Sequence, residues 1–229
     1  MLKNEFKGWT KLELLWMVLA SSIIVALSVY WKDSTMAIIS ALTGVLCVIC
    51  TGKGKLSAYV FGLINCVLYA IIAYQSKFYM ETVLNALYYV PLQFYGFYTW
   101  SKNMNPETNE VYKKRMTNNQ RFIMYIVVIL GTILLGYISN LWGGNLPFID
   151  ALSTIISIVA MIVSIKMFME QWILWVIIDV ITVGMYLWAF INGECGISVL
   201  LMWIVYLTNA IIMYFKWRNE AYKKGVSYV

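Results

Sequence analysis

Of the eleven acidic residues in this 229-residue chain, only Asp179 stands deep inside a long apolar stretch. An ionisable group at the centre of a membrane-spanning helix costs roughly 2.5 to 3.5 kcal/mol on insertion scales, so it persists where a partner or a cavity offsets that cost. At steps of three and four from Asp179 stand Trp172, Trp175, Thr182 and Tyr186, an aromatic and polar stripe on one helical face. A second stretch carries Glu81, Asn85, Tyr88, Tyr89, Gln93 and Trp100 at similar steps, and a third carries Phe61, Asn65 and Tyr69. Two more offer Ser198, Met202, Tyr206 and Asn209, and Asp150, Ser153, Ser157 and Ser164. A cavity built from one carboxylate, several amides and stacking aromatics suits a solute with a flat ring, hydroxyl groups and a positive charge, because aromatic faces and carboxylates both favour cations. The competing explanation is packing: small hydroxyl residues let helices approach, amides bond between helices, and Trp and Tyr settle at the membrane interfaces. It accounts best for the serines and for Trp100 and Trp217, whereas the alignment of Trp172 and Trp175 with Asp179 favours a site.

Other chemistries start at a disadvantage. Histidine is absent, which removes the commonest general base, the usual zinc ligand and any Ser-His-Asp triad. The cysteines are Cys47, Cys50, Cys66 and Cys195; the first three lie within apolar stretches, where thiols act as small packing residues, and no disulfide framework, metal or cofactor is expected. A membrane enzyme would need paired acids and a metal at a loop, but Glu107, Glu110 and Glu170 are scattered among lysines. A non-transporting scaffold is the remaining rival, and its polar residues would face outward rather than converge.

The elements that must hold these residues are transmembrane helices. Hydrophobic residues make up 62% of the chain and charged residues 12%, far from the roughly 25% charged residues of an average soluble domain. A bilayer core of about 30 Å takes about 20 apolar residues per helix, and about eight such stretches are present, near 12–30, 35–51, 57–74, 79–100, 122–138, 149–168, 172–191 and 197–217. Their continuous apolar character selects an all-α membrane protein over a barrel, whose strands alternate polar and apolar. The first stretch lacks a small-residue cleavage site and is kept as a helix. Every Lys and Arg except Lys32 and Lys77 then falls on one side, so the positive-inside rule places both termini in the cytoplasm of a multi-pass inner-membrane protein. The net charge of +6 thereby reports orientation, and nucleic acid is not an expected partner; membrane lipid is.

The hydrophilic connection 101–121 separates two similar sets of three helices, with Asn65 falling near Asp179 and Trp100 on Trp217 when one is laid over the other. An odd number of helices between repeat starts makes the repeats parallel. The expected organisation is an N-terminal tail and extra helix (1–33), a first three-helix repeat (34–100), a loop and linker helix (101–148), a second three-helix repeat (149–217) and a tail (218–229). Parallel repeats are a transporter design, SWEET proteins among them, with the solute site at the repeat interface. Pro91, inside the fourth stretch, is a candidate kink.

The stretch GLINCVLYAIIAYQSKFYMETVLNALYYVPLQFYGFYTW, with WILWVIID in the second half, resembles the PnuC family of vitamin transporters over about 35–217. The resemblance implies a SWEET-like fold, homotrimeric assembly, and uptake of nicotinamide riboside by facilitated diffusion followed by trapping through cytoplasmic phosphorylation. It also implies that Trp172 and Trp175 stand for the family's WxxW pair, and Asn85, Tyr88 with Tyr89, and Gln93 for an NxxYxxxQ-like pattern. The pyridinium of that solute is a flat cation that tryptophan faces and Asp179 suit, and its ribose hydroxyls suit Asn85, Gln93 and Asn209, with Asn65, Tyr69 and Tyr186 close in register. Sister branches of the same fold carry thiamine or riboflavin. Thiamine is a flat cation too, so the charge argument excludes riboflavin better than thiamine.

Overall fold

The computed structural model describes residues 5–75, 82–141, 147–192 and 197–223. The elements are α1 (Lys11–Tyr30), α2 (Thr35–Lys53), α3 (Ser57–Gln75), a π-helical turn (Leu84–Tyr89) running into α4 (Val90–Ser101), β1 (Met104–Asn105), β2 (Glu110–Val111), α5 (Asn118–Leu141), α6 (Pro147–Ile165), α7 (Gln171–Ile191) and α8 (Ile197–Lys223). Seven helices among the described residues are long and apolar enough to cross a membrane. The fourth expected span is described from Thr82 onward. Glu81, Lys77 and Cys195 lie outside the described residues, as does the side chain of Ser198. The expected loop 101–121 adds a short antiparallel hairpin, with Met104 opposite Val111 and Asn105 opposite Glu110.

The chain divides into two compact units. The first comprises Met1–Tyr112 with Asp179–Ala210, the second Lys113–Ile178 with Ile211–Val229.

In the first unit α1 opens with a capping box, Thr10 accepting from the Glu13 N–H while Glu13 reaches back to the Thr10 N–H. Its buried residues, Ala20, Ile24 and Ser28, form a single stripe at steps of four, with Trp16 and Met17 packed beside it. The stripe meets Ala41, Val45 and Ile49, spaced the same way on α2, and Met202 of α8. α2 ends at Gly54, whose φ of 80° closes a left-handed turn with bonds from the Gly54 and Lys55 N–H groups to the Thr51 and Cys50 carbonyls. Lys55 is fully buried at this turn, and burial pushes its ammonium below the usual lysine range against the pull of Glu110 and Glu5. Pro91 produces a widened turn: the Val90 N–H bonds the Asn85 carbonyl, five residues back, because a proline ring collides with the carbonyl four residues before it.

In the second unit, α6 packs on α5, where Ile155 lies 3.1 Å from the position a Cβ on Gly131 would take. A core of Ile156, Val159, Ala160, Val163, Phe168, Leu174 and Ile178 fills the unit, with Met116 and Met124. Glu170, 2% exposed, accepts from the Met116 N–H at 3.1 Å and from Arg121 at 2.8 and 2.9 Å. These bonds fasten the start of α7 to the segment entering α5.

Candidate solute site

The candidate residues of the first unit are carried by α3, the π turn with α4, α7 and α8. Asn85, Gln93, Asp179 and Asn209 are buried, at 6, 7, 2 and 0% exposure. In a bilayer such groups need internal partners, and the structure supplies several. Asn65 donates from Nδ2 to the Ser40 carbonyl at 2.8 Å and to the Ser40 hydroxyl at 3.3 Å. Asn209 donates to the Val48 carbonyl at 3.0 Å, while its Oδ1 is buried without a hydrogen-bond partner. Gln93 donates to the Cys66 sulfur at 3.6 Å. The hydroxyls of Tyr69 and Tyr186 meet at 3.2 Å, and Tyr186 stacks on Trp203, which in turn meets Tyr206 edge-on. Tyr88 and Tyr89 lie ring to ring at 5.3 Å on the π turn, which rotates them relative to a regular helix.

Two close approaches make room for these side chains. A Cβ on Gly44 would stand 2.8 Å from Asn65 Nδ2 and would collide with the Tyr206 hydroxyl; one on Gly62 would stand 2.6 Å from Gln93 Oε1. Glycine inside a helix costs about 1 kcal/mol relative to alanine, so its place on α2 and α3 is explained by the polar groups seated on it. Tyr206 stood among the sequence candidates with Asn209, whereas Ser40, Gly44, Gly62, Cys66 and Trp203 did not. The available signal was the pair of glycines in mid-helix, one on the face of Asn65 and Tyr69.

In the second unit Trp172 is 2% exposed and meets Trp217 edge-on with ring centroids 5.7 Å apart. Trp175 is partly buried against the apolar core. The indole N–H of Trp172 is buried without an acceptor. Among the described residues no group of three or more Cys, Asp or Glu side chains is gathered as a metal site. The candidate residues of the first unit therefore offer one carboxylate, amides, hydroxyls and aromatic rings, and those of the second unit two indole rings.

Comparison with known proteins gives a consistent set. A family model described as nicotinamide mononucleotide transporter matches residues 34–219. The chain is 39% identical over 223 residues to the nicotinamide riboside transporter PnuC of Neisseria mucosa, covering 94% of this chain and 84% of that one. It is 36% identical to the protein of the same name from Haemophilus influenzae, covering 94% of each. Among solved structures, the crystal structure of the vitamin B3 transporter PnuC is similar at a TM-score of 0.85 and 36% identity, with 97% of both chains covered.

Proposed function

The chain belongs to the nicotinamide mononucleotide transporter family, membrane transporters and not enzymes, and from that premise we propose that it carries nicotinamide riboside into the cell. The family description names the phosphorylated nucleotide, whereas the curated relatives are named for the riboside. The chemistry of the candidate residues favours the riboside, and this observation carries the proposal. Asp179 is buried, and no Lys or Arg occurs in α3, in the π turn with α4, in α7, or in α8 before Lys216, the elements that carry the candidate residues. A phosphate carrying close to two negative charges would face a carboxylate with no compensating cation. The pyridinium cation, by contrast, suits Asp179 and the faces of Trp172 and Trp175, and the ribose hydroxyls suit Asn85, Gln93 and Asn209. Asn65, Tyr69, Tyr88, Tyr89 and Tyr186 complete the proposed lining.

Transport is by uniport, since the chain has no histidine and the described residues show no chain of buried acids as a proton relay; phosphorylation inside the cell then traps the solute by giving it charges the site rejects. The proposed frame is a parallel three-plus-one-plus-three repeat (34–100 and 149–217) behind the extra helix α1, both termini being cytoplasmic. Two local features support the repeat. The left-handed turn at Gly54 has a counterpart at Met167, with φ of 63° and the same pair of bonds, to Ser164 and Val163. Trp100 is fully buried against Tyr59, and Trp217 is fully buried against Trp172, the same sequence offset separating Gly54 from Met167 and Tyr59 from Trp172. A homotrimer follows from the family resemblance.

The test is uptake of labelled nicotinamide riboside into proteoliposomes, with thiamine, riboflavin and the mononucleotide as competitors. Competition by unlabelled riboside alone, unaffected by a protonophore, is the expected result. Thiamine or the mononucleotide competing better would discard the substrate, and abolition by the protonophore would discard uniport.

A further inference from the structure

Lysines at a membrane surface ordinarily extend their ammonium groups into water, but the two lysines of the α2–α3 turn do not. Lys55 is fully buried, and its ammonium meets the carbonyls of Lys7 at 2.7 Å, Asn109 at 3.0 Å and Thr108 at 3.3 Å, which uses all three of its donors. Lys53, 4% exposed, binds Glu13 at 2.9 Å, Glu110 at 3.1 Å and the carbonyl of Gly8. The backbone joins in: the Ser57 N–H donates to Glu5 Oε1 at 3.3 Å and the Val111 N–H to the Gly54 carbonyl at 3.0 Å. One tight turn is thus tied both to the segment ahead of α1 and to the hairpin β1–β2. For orienting the chain in the membrane, solvated lysines would have sufficed; taking both out of water is costly and is recovered only through this full set of partners.

The helices joined at this turn, α2 and α3, carry Ser40, Gly44, Asn65 and Tyr69. A turn held from two directions cannot open while α2 and α3 swing apart at that end. We propose that the segment Glu5–Glu13, with the hairpin, is a latch that holds the α2–α3 turn closed on the side of the membrane carrying the basic excess, and that its release is required for solute to pass out on that side. Lys53 and Lys55 are positioning residues here: they touch no solute and act through the helices that do. The latch also gives the extra helix α1 a role, because α1 holds the segment against α2 through its Ala20, Ile24 and Ser28 stripe. The passage of solute rests on the transport reading above; the accessibility of the turn does not.

Two measurements test it in the full-length protein. Cys50 lies at the end of α2, 4% exposed, and its carbonyl accepts the Lys55 N–H. With Cys50 as the sole cysteine, a membrane-impermeant maleimide applied to inside-out vesicles should label the otherwise unaltered chain slowly. Lys55→Met, and separately Glu13→Gln with Glu110→Gln, should raise the labelling rate at least about tenfold, the factor corresponding to loss of just one of the several charge-assisted bonds each change weakens or removes. Unchanged labelling in variants that still purify as monodisperse protein overturns the latch.

The second measurement holds even where those variants fail to fold. Glu5→Cys with Ser57→Cys, in a chain whose native cysteines are serine, is bridged by a reducible bis-thiol reagent. Bridged protein should bind nicotinamide riboside as the unbridged protein does, while its uptake falls about tenfold or more and returns on reduction, the signature of a blocked conformational step rather than a lost site. Uptake undiminished by bridging overturns the latch. Absence of uptake both before bridging and in the unaltered chain refutes the substrate assignment instead, and the Cys50 labelling then decides the latch alone.

Discussion

Gly62→Ala is a small change whose effect on binding can be worked from the structure. The new Cβ would stand 2.6 Å from Gln93 Oε1, 2.9 Å from its Cδ and 3.0 Å from its Nε2. Non-bonded heavy atoms settle at roughly 3.5 to 4.0 Å, so the Gln93 amide has to retreat by about 1 Å. The Gln93 side chain can rotate, which makes the retreat cheap for the fold, and alanine in place of glycine favours the helix by about 1 kcal/mol. Thermal stability in detergent should therefore hold or rise. Binding should suffer, because an amide displaced by about 1 Å forfeits a hydrogen bond of about 1 kcal/mol, or about a fivefold rise in Kd. Titration calorimetry with nicotinamide riboside measures this, and a double-mutant cycle identifies its origin. If Gly62 acts only through Gln93, Gly62→Ala adds nothing once Gln93→Ala is present. An unchanged Kd in Gly62→Ala, or a loss fully additive with Gln93→Ala, would refute the reasoning.

Trp175→Ala should weaken nicotinamide riboside by about 1 to 2 kcal/mol in the same titration, the worth of a desolvated cation–π contact; an unchanged Kd would remove Trp175 from the site. Asp179→Asn removes the charge while keeping the shape, so the oxidised, cationic riboside should lose affinity while its neutral reduced form binds as before; equal losses for both would show that Asp179 does not sense the solute's charge. Glu170→Ala leaves Arg121 and the Met116 N–H without their acceptor, and should lower stability by about 3 kcal/mol as read by thermal unfolding in detergent; a shift no larger than that of an exposed acid would reduce the contact to a surface ion pair.

Much of this protein was legible in the sequence because a bilayer imposes simple rules. Length and continuous hydropathy marked the helices, since backbone polar groups in lipid can be satisfied only within the helix. Asp179, Asn85, Gln93 and Asn209 stood out because polar groups inside apolar stretches are expensive, and each is buried. What the sequence could not decide was which atoms those groups meet. The partners of Asn65, Gln93 and Asn209 are Ser40, Cys66 and the Val48 carbonyl, on helices whose relative rotation no periodicity reveals. Pro91 announced a break, but only the backbone showed that the break is a π turn beneath Asn85, Tyr88 and Tyr89. The lysines at 53 and 55 were readable as orientation signals and nothing more; their burial among carbonyls and carboxylates depends on chain segments 40 to 57 residues away. Local composition thus determined where the chain enters and leaves the membrane, and tertiary structure decided the pairing of its polar groups, because pairing depends on distance between elements and the sequence records only distance along the chain.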